Sequence, residues 1–195
     1  MISKKYIAVV AQDGQNMWLK RKSNVKSFVS VLKKTLSESK KLKILDAGCA
    51  NGRDSNEIAL EGYKVIGIDC DKNFINDAKK SYPKTKFEIG DIQNLKYKNN
   101  EFDAVYCVNT LFYLSPNKSI PELLRVVKKD GVLFITLDEK IVNLDENKIM
   151  HSLNVEKTIK LLFKDCKILS KKYLKRIDKI PFKHKHYFYE IAVQK

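Results

Sequence analysis

Short apolar segments alternate with helical patterns between residues 42 and 137, and this alternation limits the possible folds more than any other feature of the chain. Segments rich in β-branched and aromatic side chains predict strands, and the positions with helical spacing between them predict helices. The strands are expected at 43–47, 64–69, 86–89, 102–108 and 131–137, and the helices at 53–61, 73–81 and 120–128, the last with Pro121 in its first turn. This alternation is typical of a parallel sheet with helices on both faces.

The flanking regions complete the predicted fold. Upstream, apolar residues with helical spacing predict a helix over 24–37, with Ser23 or Asn24 as its cap. Downstream, a helix near 155–163 is followed by strands near 166–176 and 186–194. The connection through Pro181 and Phe182 is too short for a helix, so these strands are expected to form an antiparallel pair at one edge. We therefore predict a doubly wound α/β fold with a seven-stranded, mostly parallel sheet and an antiparallel edge strand.

Length and composition indicate one globular domain in a reducing compartment. The chain has 195 residues, of which 44% are hydrophobic, enough to build one core. No run of eighteen apolar residues exists, and Tyr6–Val10 is too short for a signal-peptide core. Cys49, Cys70, Cys107 and Cys166 are widely spaced, which favours reduced, packed cysteines and predicts no metal site. We expect a cytoplasmic protein without membrane association.

The net charge of +15 lies in the two flanks. Residues 17–43 carry a net charge of +8 and residues 157–195 a net charge of +9, whereas residues 44–156 carry −3. One interpretation is attraction to an anionic partner, such as RNA or a phosphorylated or carboxylated metabolite. The other is a solvated, lysine-rich surface, since few of the basic residues are the arginines that bind phosphate in a bidentate manner.

Candidate ligand-binding residues follow the first three predicted strands. The segment Asp46–Gly52 contains small residues that let a ligand approach the backbone, and it leads into a helix whose first N–H groups are free. Asp69 ends the second strand and can accept both hydroxyls of a ribose. Asp91 ends the third strand and can accept an adenine amino group. Parallel sheets bind ligands at these strand ends, so the sequence predicts one site there.

With these residues in place, the chain resembles the class I methyltransferase family over residues 40–138. The resemblance rests on five segments: Asp46–Gly52, Val65–Asp69, Phe87–Ile92, Phe102–Asn109 and Arg125–Ile135. A nicotinamide-binding Rossmann domain usually has G-x-G-x-x-G, and here Gly48, Ala50 and Arg53 occupy those glycine positions. The resemblance implies S-adenosylmethionine as the cofactor and one domain, 1–195. Its parts are an N-terminal helical cap (1–40), a cofactor-binding core (41–138) and a C-terminal helix with the antiparallel pair (139–195).

The resemblance also implies roles for single residues. Gly48 and Gly52 would face the methionine part of the cofactor, with Asp46 near its amino group through water. Asp69 would hold the ribose. Asp91, together with the Ile92 backbone, would hold the adenine. Val108 and Asn109 would form the floor of the site beside the sulfonium.

Four residues beside these contacts complete the predicted cofactor site. Cys49 and Cys70 would serve packing. Arg53 is a candidate partner for the cofactor carboxylate. Ala50 stands where the family usually has glycine, and a positive φ there would put cofactor affinity in doubt.

The acceptor of the methyl group is not identified by the sequence. We favour an unidentified small molecule, which can be anionic, because no RNA-binding domain is appended. An RNA, particularly tRNA, methyltransferase using the basic flanks is the alternative, and a cofactor-binding scaffold without activity is a third hypothesis. The fourth strand ends in Asn109–Tyr113, without the Asn-Pro-Pro-Tyr pattern of enzymes that methylate nucleobase amino groups.

No catalytic residue is assigned. Acceptor contacts are expected from residues 6–24, 109–118, 139–153 and the C-terminal pair, with Trp18, Phe112 and Tyr113 as an aromatic wall. If a strand begins near His184, then His184 and His186 face the same side. They are candidates for a base or an anion site, and the alternative is a surface position without a catalytic role.

Overall fold

The computed structural model describes residues 23–36, 41–179 and 183–195. The elements in chain order are α1 (Val25–Thr35), β1 (Lys43–Ala47), α2 (Arg53–Leu60), β2 (Lys64–Asp69), α3 (Lys72–Ser81), β3 (Lys86–Ile89), β4 (Phe102–Cys107), a 3₁₀ turn (Leu111–Tyr113), α4 (Pro116–Val126), β5 (Val127–Asn143), β6 (Lys148–Ser152), α5 (Val155–Leu162), β7 (Lys167–Asp178) and β8 (His184–Gln194). The predictions for Tyr6–Val10, Trp18 and the Pro181–Phe182 connection lie outside the described residues. Within the described residues, no helix has the length and apolar character needed to cross a bilayer.

All the strands belong to one sheet, which confirms the predicted α/β fold. Their order is β3-β2-β1-β4-β5-β8-β7, and β6 pairs with β5 off this path. Strands β1 to β5 are parallel, while β8 runs antiparallel to both β5 and β7. The order of the strands reverses between β1 and β4, so the crevice that binds ligands in such folds is expected at their carboxyl ends.

Helices cover both faces of the sheet. Helix α1 places Phe28 against Tyr106 and Phe134, with ring centroids 5.2 Å and 5.5 Å apart. Its buried residues are the predicted Val25, Phe28, Val29 and Leu32, and the Ser23 hydroxyl accepts from the Val25 N–H. On the opposite face, α4 and α5 pack on the apolar side chains of β4 and β5.

Strand β5 is longer than its sequence pattern predicts. It continues past Leu137 to Asn143, beyond the end of β4, and pairs there with β8 on one side and β6 on the other. Strand β6 falls in the segment 139–153, from which the sequence predicts acceptor contacts but no strand. Its side chains are half-buried or exposed, so backbone pairing holds it in place, and periodicity gives no signal for it.

Helix α4 begins four residues before its predicted start. Pro116 occupies the first turn, where its missing N–H costs nothing, so Pro121 lies inside the helix rather than in the first turn. The buried face of α4 contains Ser119, Ile120, Leu123 and Val126. Its apolar members are part of the core formed with β4 and β5, and this packing keeps the helix in place.

Candidate functional site

A cavity of about 350 Å³ lies beyond the carboxyl ends of β1, β2, β3 and β4. It is lined by every residue that the sequence assigns to cofactor binding except Gly52. Those residues are Asp46, Gly48, Cys49, Ala50, Arg53, Asp69, Cys70, Asp91, Ile92, Val108 and Asn109. The cavity also reaches residues that the sequence did not single out, including Asp54, Phe74, Tyr106 and Thr110.

Glycine is required at two positions of the loop between β1 and α2. Gly48 has φ +85°, and a Cβ there would overlap the Thr110 hydroxyl at the end of β4. Gly52 has φ +81°, and a Cβ there would come within 2.5 Å of the Phe87 ring and 2.9 Å of Ala78. Packing behind the loop therefore explains Gly52, whereas Gly48 lets the loop approach β4 closely.

Asp69 holds the loop in its conformation. One carboxylate oxygen accepts from the Ala50 N–H at 3.0 Å, and the other accepts from the Asp71 N–H at 2.9 Å. Ala50 has φ +46°, in the left-handed region. This is the positive φ that the sequence analysis names as unfavourable for an alanine at this position. An L residue pays about 1–2 kcal/mol for that conformation. The loop is therefore strained at Ala50.

Asp46 is a buried acid beneath the loop. Its side chain is 2% exposed, and one oxygen accepts from the Ser55 hydroxyl at 2.5 Å. Burial is the main cause that raises the pKa of Asp46 to about 8; the Asp54 and Asp69 carboxylates add to the rise, and the hydrogen bond from Ser55 opposes it. Asp46 is thus mostly protonated at neutral pH until a cation reaches it.

Arg53 and Tyr106 both bind Asp54 at one wall of the cavity. The Arg53 Nη2 lies 2.6 Å from the Asp54 Oδ1, and the Tyr106 hydroxyl donates to the Asp54 Oδ2 at 2.8 Å. Arg53, which the sequence considered for the cofactor carboxylate, therefore reaches the cavity with Asp54 as an ionic partner.

The residues at the ends of β3 and β4 differ in exposure. Asp91 is exposed, and its Oδ1 accepts from the Gln93 N–H at 2.8 Å. Val108 is buried. Asn109 has φ +56°, its N–H donates to the Thr136 hydroxyl, and its Oδ1 accepts from the Arg176 Nη1 at 2.8 Å. The Asn109 amide is therefore fixed by β5 and β7.

The cysteines beside the cavity are reduced thiols. Cys49 is buried and Cys70 is exposed, and neither forms a disulfide. Burial raises the pKa of the Cys49 thiol well above its ordinary value, so the thiol stays protonated. The buried position of Cys49 is compatible with the packing role that the sequence suggests, whereas Cys70 is exposed.

A second cavity, of about 260 Å³, adjoins the first. It lies between the 3₁₀ turn and β6, and its lining comprises Phe112, Tyr113, Leu114, Ile149, Met150, His151 and Ser152. Tyr113 and Leu114 line both cavities. Two members of the predicted aromatic wall, Phe112 and Tyr113, meet here with ring centroids 4.0 Å apart.

His151 is the titratable ring in this second cavity. Its Nε2 lies 2.9 Å from the Asp138 carbonyl oxygen. Because a carbonyl oxygen can only accept, Nε2 carries the hydrogen and the neutral ring has its lone pair on Nδ1. Burial lowers the pKa of His151, so the ring is neutral at pH 7. The sequence gives no signal that His151 lines a cavity, because it does not predict the β5–β6 pairing that positions this residue.

The two C-terminal histidines share one face, as the sequence predicts for a strand that begins at His184. Both rings are fully buried, so the surface position that the sequence left open is wrong. Arg176 on β7 approaches the same region and was not a sequence candidate.

Comparisons with known proteins assign the family. A family model described as a methyltransferase domain matches residues 45–135. This chain contains a class I methyltransferase domain. A solved S-adenosylmethionine-dependent methyltransferase from Methanosarcina mazei has the same fold, with a TM-score of 0.67 over 85% of this chain and 96% of that chain, at 19% identity.

Curated relatives resemble the methyltransferase domain over part of their length. The chain is 38% identical over 108 residues to the probable methyltransferase ltbC of Aspergillus luteorubrus, covering 46% of this chain and 38% of that protein. It is 32% identical over 98 residues to the demethylmenaquinone methyltransferase of Paenarthrobacter aurescens, covering 48% and 37%. The chain therefore spans less than half the length of these relatives.

S-adenosylmethionine is the cofactor of this family, and the first cavity suits it. The buried carboxyl of Asp46 can pair with an ammonium group, and the close approach of Gly48 leaves backbone beside it. Asp69 and Asp91 place further acceptors at the neighbouring strand ends.

We expect Ala50→Gly to stabilise the protein by about 0.5–1 kcal/mol. Glycine removes the left-handed strain in the folded state, and the greater entropy of the unfolded chain with glycine offsets part of this stabilisation. Urea unfolding monitored by circular dichroism measures the change. Ala59→Gly, in helix α2, is the matched control and should destabilise by about 1 kcal/mol. Equal losses for both variants would contradict strain at Ala50.

Proposed function

We propose that the domain transfers the methyl group of S-adenosylmethionine to a small molecule held in the second cavity. The observation that carries this proposal is the shared wall: Tyr113 and Leu114 line the cofactor cavity and the second cavity together. An acceptor in the second cavity would lie next to the end of β4, where the family holds the sulfonium.

Roles in cofactor binding follow from the environments of the acids. Asp46, buried and protonated in the free protein, would lose its proton on binding and pair as a carboxylate with the cofactor ammonium. Asp69 uses each oxygen for one backbone N–H and still has lone pairs for ribose hydroxyls. Asp91, exposed beside the buried Ile92, would take the adenine end.

The bound cofactor supplies a methyl group already activated by the adjacent positive sulfur. The protein then has to align the acceptor and exclude water, which Phe112 and Tyr113 would do. A base is required when the acceptor atom carries a proton. His151 lines the second cavity as a neutral ring, and we assign it that role.

The direct test is incubation of the protein with methyl-labelled cofactor and a metabolite extract, followed by identification of the labelled fraction. Label in a small molecule supports the proposal. Cofactor binding without methyl transfer to any metabolite or RNA pool would overturn the proposal and indicate a cofactor-binding scaffold without activity.

Cofactor binding is expected to release a proton near pH 7, because the ammonium favours the charged form of Asp46 and lowers its raised pKa. Affinity should therefore rise as the pH increases from 6 to 8. Calorimetry in buffers of different ionisation enthalpy measures the released proton. Asp46→Asn should lose this buffer dependence and about 10–100-fold in affinity, and unchanged proton release in this variant would refute the assignment.

His151→Gln is expected to lower kcat by about 10²–10⁴-fold with little change in KM, if the acceptor carries a proton. The pKa of His151 is lowered by burial, so the wild-type rate should fall only below pH 6.5. Raising the pH should restore the variant as the acceptor ionises by itself. Ser152→Ala, from the same cavity lining, is the control. A uniform loss at every pH would indicate a structural role instead.

RNA is the second candidate acceptor, and one surface favours it. We call this surface the tyrosine–lysine face: Tyr173, Tyr187, Tyr189, Lys171, Lys175 and Lys185. The pairing of β7 with β8 places Tyr173 opposite Tyr189 and Lys175 opposite Tyr187, on one side of the sheet. Tyr173 is 46% exposed. Aromatic rings among lysines are typical of surfaces that bind single-stranded nucleic acid.

The competing explanation is protection of an edge strand. Strand β7 ends the sheet, and exposed lysines on such strands prevent pairing with another molecule. The two explanations differ in what they predict for binding in solution.

If the tyrosine–lysine face binds RNA, affinity should fall steeply with salt, and Lys175→Gln and Lys185→Gln should each reduce the salt slope by about 1. Filter binding of labelled tRNA between 50 and 300 mM salt measures this. Lys33→Gln, on α1, is the matched control. Absence of retained RNA at low salt removes this candidate.

A further inference from the structure

Three potential metal ligands meet where β7 ends and β8 begins. They are Asp178, His184 and His186, and one ligand atom from each lies within 4.8 Å of the others. The His186 Nε2 is 3.3 Å from the Asp178 Oδ2, and the His184 Nε2 is 3.8 Å from the same oxygen. Both imidazoles are fully buried, and Asp178 is 8% exposed.

The buried His186 Nε2 has no hydrogen-bond partner among the residues that the structure describes. Its other nitrogen, Nδ1, lies 2.6 Å from the Asp138 Oδ1. Because that carboxylate accepts, Nδ1 carries the hydrogen, and a neutral ring then has its lone pair on Nε2. The lone pair would face a carboxylate oxygen at 3.3 Å in a geometry that is not a hydrogen bond. Such an arrangement requires a positive species between them.

The charges around the cluster also favour a cation. Asp138 and Asp178 contribute two negative charges, and Arg176 contributes one positive charge through its Nε, which is 3.0 Å from the Asp178 Oδ2. With neutral imidazoles, these three ionic side chains together carry a net charge of −1 in a buried place. Buried charges of this kind are paired or coordinate metals.

We propose that Asp178, His184 and His186 bind a divalent transition-metal ion of the Zn²⁺ type. Two imidazoles and one carboxylate suit zinc and its neighbours, whereas Mg²⁺ and Ca²⁺ prefer oxygen ligands. Ligand atoms of a tetrahedral zinc site lie roughly 3.3 Å apart, given zinc–ligand bonds of about 2.0–2.1 Å. Asp138 acts as the second carboxylate that orients a ligating histidine.

The site goes beyond methyl transfer, but it is linked to the methyltransferase domain. Arg176 contacts Asp178 through its Nε and the Asn109 Oδ1 through its Nη1, which is 2.8 Å away. Asn109 lines the cofactor cavity. The ion would therefore fix the β7–β8 pair and, through Arg176, the side chain at the end of β4.

The test is direct metal binding to the full chain after treatment with a chelator. We expect about one equivalent of Zn²⁺ by equilibrium dialysis, and Co²⁺ should give the visible absorption bands of a four- or five-coordinate site. Zn²⁺ should also raise the Tm. These readouts do not depend on methyl transfer, so they stand or fall separately from the proposed function.

His184→Gln and Asp178→Asn should lose this binding, and Asp138→Asn should weaken it by about 10–100-fold. His151→Gln is the matched control, since it removes a histidine outside the cluster and should retain the metal. If a variant fails to fold, the Co²⁺ spectrum of the wild-type protein still decides the question. Wild-type protein that binds no Zn²⁺ or Co²⁺ would overturn the proposal and leave a proton on His186 as the positive species.

Discussion

Strand β5 pairs with β4, β8 and β6, and the positions of both cavities and of the histidine cluster depend on these pairings. Its first part continues the parallel sheet beside β4. Its second part extends beyond the carboxyl ends of the parallel strands, where unpaired backbone groups would be costly. Strands β6 and β8 satisfy those groups, so the extension is an ordered wall. It carries Asp138, whose backbone oxygen contacts His151 and whose carboxylate contacts His186.

The two acids beneath the glycine loop, the half-buried Asp69 and the buried Asp46, have different surroundings and are suited to different tasks. Asp69 accepts backbone N–H groups at both oxygens, and these bonds hold the loop even though Ala50 is in a left-handed conformation. Asp46 is more deeply buried, and its pKa is raised to about 8 because burial disfavours the charge. A carboxyl in that state gains most from an incoming cation. Asp69 therefore fixes the conformation of the loop, whereas the charge of Asp46 depends on the ligand.

The sequence predicts the elements that bury apolar side chains in the core. Strands β1, β2 and β3 have the predicted bounds, because each is a short apolar run bounded by polar or turn residues. The predicted start of α4 is wrong, because Pro116 occupies the first turn and Pro121 lies inside the helix. Strand β6 was missed because it buries little, so a local pattern cannot reveal it. The residues of the cofactor cavity are predictable because they lie at the ends of predicted strands. His151 and Arg176 are not predictable in this way, because long-range strand pairing brings β6 and β7 to the site.

The sequence by itself determined the order of strands and helices, the glycine loop and the acids at the first three strand ends, because each depends on residues close together in the chain. Only the tertiary structure decided that Ala50 has a positive φ and that His184 and His186 are buried. It alone brought Asn109 to Arg176 and Asp138 to His186. Those contacts join residues far apart in sequence, and they exist because β8 lies between β5 and β7. A strand finds its neighbours through backbone pairing and burial of apolar surface over the whole sheet, and these depend on residues far apart in the chain.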